Sequence, residues 1–130
     1  MASIQKHVVL PASAEQVWDA LCDVGALPTR LVPGFVSRTE LEPDGRARRV
    51  TFANGMVARE LIVTIDAAAR RLVWSSVGGR MSHHNASAQV FPEGSGCRFV
   101  WIADLLPDEL APAIAGMMDQ GLSAISQKFA

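Results

Sequence analysis

The sequence carries no surplus of either charge: 12 Lys and Arg stand against 13 Asp and Glu, a formal net charge of -1 at pH 7. Such a balance supplies no general attraction to nucleic acid or to anionic membranes. Long apolar runs are also missing, since no stretch approaches the roughly 18–20 uninterrupted apolar residues of a membrane-crossing helix. Residues 1–6 lead straight into strand-like sequence and have none of the features of a secretory leader. The expectation is a cytoplasmic protein without membrane insertion. Cysteine is scarce. Cys22 and Cys97 both have apolar neighbours, which fits core thiols in a reducing compartment. No Cys, His or carboxylate cluster occurs at metal-ligand spacing, and His83 and His84, adjacent on a strand, must point to opposite faces. No metal and no cofactor is therefore expected. Gly78-Gly79 is followed by strand-like sequence and not by a helix start, so it reads as a hairpin and not as a phosphate cradle.

What is present is a chain of 130 residues, 49% of them hydrophobic, enough to build the core of a single domain spanning 1–130. Residues 4–10 have the β-branched, apolar bias of a strand that Pro11 ends. Ser13 and Gln16 form an S-x-x-Q capping box, and Val17, Trp18, Leu21 and Cys22 follow at helical spacing, with Gly25 suited to the left-handed position that closes a helix. The segment 26–34, with Pro28 and Pro33, can hold only an irregular or single-turn connection. From there on, turn signals recur every 10 to 16 residues or so: Asp44-Gly45, Asn54-Gly55, residues 66–70, Gly78-Gly79 and residues 93–96. They leave room for strands near 35–42, 46–53, 57–66, 70–77, 82–91 and 97–105. Pro107, beside Asp108 and Glu109, predicts the first turn of a helix running to about Phe129. Its apolar stripe is Leu110, Ile114, Met117, Met118, Leu122, Ile125 and Phe129. The fold class is α+β: a short helix after strand 1, then a seven-stranded curved antiparallel sheet wrapped around a long C-terminal helix. The loops are too short for parallel crossovers.

Three segments carry a resemblance. They are residues 10–21 (LPASAEQVWDAL) at the first helix, Arg59-Glu60-Leu61 with Ile65-Asp66 on the fourth strand, and residues 96–101 (GCRFVW) leading into Leu105-Leu106-Pro107. In this order and spacing the chain resembles the START-like or Bet v 1-like (helix-grip, SRPBCC) superfamily, in particular its polyketide cyclase/dehydrase-like branch. The resemblance implies a cavity between sheet and C-terminal helix that binds a lipid or polyketide-like metabolite, or an enzyme of the cyclase, aromatase or dehydratase type. A further likeness, around Glu60-Leu61-Ile62 and residues 77–85, is to plant abscisic-acid receptors, in which the corresponding acidic residue lines the pocket. Their gate motif is replaced here by residues 52–56 (FANGM), so hormone sensing is not implied. Where the family usually places an aromatic after the first helix, this chain has residues 29–33 (TRLVP).

Strand alternation sorts the candidate lining. Ala58, Glu60, Ile62 and Thr64 share one face of the fourth strand, which the resemblance places inward. Leu72, Trp74 and Ser76 share a face of the fifth, and His84, Ala86, Ala88 and Val90 share one of the sixth. The small alanines opposite Ile114, Met117 and Met118 leave room for a ligand, unless bulky neighbours fill it. Phe52, Trp74, Phe99 and the two methionines would make an adaptable apolar wall, while Trp18 and Trp101 read as core aromatics. Glu60 is a candidate acid, base or hydrogen-bond acceptor, unless it faces solvent beside Arg49 or Arg59. His84 is a candidate for orienting a carbonyl or hydroxyl, or else a structural imidazole. The partner expected is a small hydrophobic ligand, in a monomer or a homodimer. Leu27, Leu31 and Val32 could form an exposed docking patch or a lid.

Overall fold

The computed structural model describes residues 1–130. Its elements are β1 (Ala2–Leu10), α1 (Ala14–Cys22), a wide helical turn (Leu27–Leu31), β2 (Val36–Leu41), β3 (Ala47–Phe52), β4 (Val57–Asp66), β5 (Arg71–Val77), β6 (His83–Glu93), β7 (Gly96–Leu106), a 3₁₀ turn (Asp108–Leu110) and α2 (Ala111–Lys128). The strands form one sheet in the order β1-β7-β6-β5-β4-β3-β2, every pair antiparallel. This is the predicted helix grip, with each strand within two residues of its expected bounds from β2 onward. No helix is long and apolar enough to cross a membrane.

The local signals act as chemistry requires. Ser13 Oγ accepts from the Gln16 N–H at 3.2 Å, and Gln16 Oε1 accepts in return from the Ser13 N–H at 3.2 Å. Two donors that no preceding turn could satisfy are thereby paired. The helix so started buries Ala14, Val17, Ala20 and Leu21. Along α2, the buried Met118, Leu122 and Ile125 face the sheet, and Lys6 of β1 bonds Asp119 at 2.8 Å on the outer side. Gly121 lets α2 pass close to Trp101 and Phe35. A Cβ there would lie 2.7 Å from Trp101 Cζ3 and 3.3 Å from Phe35 Cε2.

Four expectations need correction. Gly25 is not in the left-handed region; α1 ends at Asp23 (φ -81°, ψ 76°), and the Ala26 N–H bonds the Asp23 carbonyl at 3.0 Å. Pro107 is extended (φ -75°, ψ 156°) and precedes a 3₁₀ turn, so α2 starts at Ala111, where Pro112 fills the first-turn position that needs no N–H donor. Parity fails along β4, because the register slips between Ile62, opposite Trp74, and Thr64, opposite Val73. Such a bulge reverses the faces that follow it, and Thr64 is exposed instead of inward. Finally, Leu27, Leu31 and Val32 are buried and make no exposed patch.

Candidate functional site

Between the concave face of the sheet, the wide turn and α2 lies a cavity of about 130 Å³. Of its 25 lining residues 21 are hydrophobic, which makes an apolar occupant the favoured one. The wall is built strand by strand from alternate positions: Val50 and Phe52 on β3, Ala58 on β4, Leu72 and Trp74 on β5, Ala88 on β6, and Phe99, Trp101 and Ala103 on β7. Ile114, Met117, Met118 and Ile125 close it from α2, and Leu27, Leu31 and Val32 close it from the turn. The turn is held by Arg30, whose guanidinium bonds Asp19 Oδ2 at 2.6 Å and Asp23 Oδ2 at 3.0 Å at the end of α1.

The four polar lining residues are Arg48, Glu60, Ser76 and His84, and the strand registers bring them together. Arg48 pairs with Glu60 across β3 and β4, and Glu60 pairs with Ser76 across β4 and β5. Arg48 and Glu60 are only 3% and 7% exposed. The Arg48 Nε–H donates to Glu60 Oε1 at 2.9 Å, Nη1 donates to the Val24 carbonyl at 3.2 Å, and the guanidinium lies 5.7 Å from the centre of the Trp74 ring. A buried charge is tolerable only with such compensation. Glu60 is therefore inward, and its partner is neither Arg49 nor Arg59. The outward Arg49 and Arg59 sit opposite each other, and Arg59 bonds Glu42 at 2.8 and 2.9 Å.

His84 stands where the β5–β6 ladder stops. Backbone pairing runs from Arg71 opposite Gln89 to Trp74 opposite Ala86 and no further. Beyond it the Ser76 N–H donates to His84 Nδ1 at 2.9 Å, so the imidazole replaces the missing strand carbonyl. An Nδ1 that accepts carries no proton, which places the ring proton of the neutral imidazole on Nε2. Burial pushes the His84 pKa below its ordinary value, against the pull of Glu60 in the other direction. Ser76 also joins the two acidic and basic candidates, since its hydroxyl donates to Glu60 Oε2 over a long 3.4 Å.

The whole chain, residues 1–130, matches the family described as polyketide cyclase / dehydrase and lipid transport. The chain belongs to this family. Solved structures of the same fold include the protein XoxI from Bacillus cereus (22% identity, TM-score 0.87, covering 99% of this chain and 96% of that one). Others are the di-domain ARO/CYC BexL from the BE-7585A biosynthetic pathway (17%, TM-score 0.83, 98% and 46%) and norcoclaurine synthase from Thalictrum flavum (21%, TM-score 0.75, 97% and 84%). At these identities the likeness is one of fold. Among curated proteins none matches.

As a family member the chain places nine of its sequence-predicted site residues on the cavity wall: Phe52, Glu60, Trp74, His84, Ala88, Phe99, Ile114, Met117 and Met118. The two others, Ile62 and Ala86, do not reach it. Ile62, just before the bulge, is half-buried against the core, and Ala86 is fully buried opposite Trp74 and Ala103. Arg48 and Trp101 were missed as lining residues. Arg48 alternates with the inward Val50 and Phe52, and that alternation is the signal that could have found it. The Trp101 ring packs 6.1 Å from that of Trp74 and faces the cavity as well as the core. The free thiols are both shifted upward by burial, Cys97 in the core and Cys22 with the added repulsion of Asp19.

Proposed function

We propose that the chain is one ligand-binding domain that holds a small hydrophobic molecule between the sheet and α2. The observation that carries this reading is a cavity whose wall is apolar except for one gathered set of four polar side chains. By the coefficient of about 24 cal/mol per Å³, a dry void of this size costs about 3 kcal/mol, and an apolar occupant recovers part of that. The volume suits one six-membered ring with a small head, by comparison with an engineered cavity of about 150 Å³ that takes benzene. A ¹⁹F NMR titration with 4-fluorotoluene tests it. Saturable binding is expected to the native chain and not to Ala88→Phe, in which the added ring fills the space, with circular dichroism reporting the fold of the variant. A response that stays linear with concentration for 4-fluorotoluene and for every other single-ring aromatic of a panel overturns the proposal.

A second reading is supported by the meeting of Glu60 and His84 at Ser76. His84 Nε2–H would polarise a carbonyl while Glu60 Oε2 takes a proton from the neighbouring carbon and returns it to a departing hydroxyl, a dehydration. The test is the dehydration of 3-hydroxycyclohexanone, followed by enone absorbance. Proton transfer of this kind supplies about 10²–10⁴ in rate, so Glu60→Gln should lose that much while still binding substrate. Equal turnover by the variant removes Glu60 from the mechanism.

A further inference from the structure

We infer that the cavity selects neutral apolar molecules whose head carries a hydrogen-bond acceptor and a donor on neighbouring atoms, as in a carboxamide or a hydroxy-ketone, over carboxylates of the same shape. This rests on the binding reading above and assigns the chemistry of the head.

The argument is an account of unmade hydrogen bonds. Arg48, Glu60 and His84 are each at least nine-tenths buried, with exposures of 3%, 7% and 9%. Arg48 uses Nε on Glu60 and Nη1 on Val24, and its Nη2 has no partner in the chain. His84 uses Nδ1 on the Ser76 N–H, and its Nε2–H has none. Glu60 Oε1 takes the Arg48 bond, while Oε2 has only the 3.4 Å contact to Ser76. These atoms are not sealed in protein: the one side-chain polar atom that is both sealed and unpartnered is Thr39 Oγ1. In residues this buried, open polar atoms face the void that the residues line.

Two donors, Arg48 Nη2–H and His84 Nε2–H, thus await an acceptor, and one acceptor, Glu60 Oε2, awaits a donor. Ser76 ties Glu60 and His84 to a single residue, so the complementary groups of a ligand must lie close together. Charge then excludes the alternatives. Arg48 and Glu60 cancel, the neutral His84 adds nothing, and no other lining residue is ionisable. A carboxylate would bring an uncompensated negative charge beside Glu60 and leave Oε2 without a donor. An ammonium would meet the Arg48 guanidinium and offer nothing to His84. Both carry the penalty of an unpaired buried charge, which a neutral head avoids.

Four para-fluorinated probes of nearly equal size separate these terms in ¹⁹F NMR titrations: 4-fluorobenzamide (acceptor and donor), 4-fluoroacetophenone (acceptor only), 4-fluorobenzoate (anion) and 4-fluorotoluene (neither). The amide should bind tightest, about tenfold or more above the ketone, since a hydrogen bond to a charged group is at stake. The benzoate should bind weakest. Glu60→Gln leaves Arg48 without its counter-charge and should reverse the order, making the benzoate tighter than the amide. His84→Phe should weaken amide and ketone alike and spare the toluene. Saturable toluene binding together with an amide no tighter than the ketone, or a native benzoate as tight as the amide, overturns the inference and leaves apolar binding intact. If neither these four nor any other single-ring aromatic of the panel binds saturably, the binding reading itself has failed. Should Glu60→Gln not fold, the native series and His84→Phe still decide.

Discussion

Replacing the buried ion pair gives the sharpest test of how the sheet tolerates its polar row. Arg48 Nε and Glu60 Oε1 are 2.9 Å apart, and the two side chains are 3% and 9% exposed. At an effective dielectric of about 20 and about 4 Å between charge centres, their attraction is about 4 kcal/mol, comparable with the cost of drying two charges. Removing one partner leaves the other charged and unpaired. Arg48→Met and Glu60→Leu should therefore each cost about 3–5 kcal/mol. Against a total of about 5–15 kcal/mol for such a domain, either loss is a large fraction of the stability. By an unfolding entropy of about 2.1 cal/mol/K per residue, the loss corresponds to about 10–20 °C in Tm. The double variant places two apolar side chains of similar bulk in contact and should recover most of the loss, or exceed the native stability. The assay is urea unfolding of the native chain, both single variants and the double variant, closed as a thermodynamic cycle. A double variant as unstable as the two singles summed, or singles within about 1 kcal/mol of the native chain, would refute the assignment of a desolvated, mutually compensating pair.

Two further predictions follow from the same geometry. His84 has a folded-state pKa lowered by burial from 6.5. The unfolded chain therefore binds the proton first, and stability should fall as pH drops below about 6.5, continuing until the folded pKa is reached. The urea midpoint should decline between about pH 7 and 5, and His84→Gln should flatten that decline; an unchanged slope would mean that other groups govern it. Gly121→Ala would gain about 1 kcal/mol of helix propensity at an open site. Here the new methyl would sit 2.7 Å from Trp101 Cζ3, so overpacking of about 1–3 kcal/mol should prevail and shift tryptophan emission as the ring moves. A stabilised variant with native emission would show that Trp101 yields freely.

Most of the architecture could be read locally. The Ser13 cap, the glycine turns and the α2 stripe are signals of short range, and period-two alternation correctly grouped Leu72 with Trp74 and His84 with Ala88. Alternation failed at Val63, because a bulge is a property of two strands in register and leaves no mark on one. The turn at Leu27–Leu31 looked exposed for a related reason: a leucine in a loop is inward only if something lies beneath it.

The sequence by itself determined the order of elements, the antiparallel sheet and the helix it grips. Tertiary structure alone decided which arginine meets Glu60. Three arginines, Arg48, Arg49 and Arg59, are near it along the chain or across the ladder, and only the register of β3 against β4 puts Arg48 directly opposite on the buried face. It also decided the state of His84, since the β5–β6 ladder must end at Trp74 for the Ser76 N–H to turn to the imidazole and fix its proton on Nε2. Patterns along a chain encode which face a side chain takes. Partners on that face come from strands 8 to 16 residues away, and the hydrogen bonds left unmade appear only when those strands are in place.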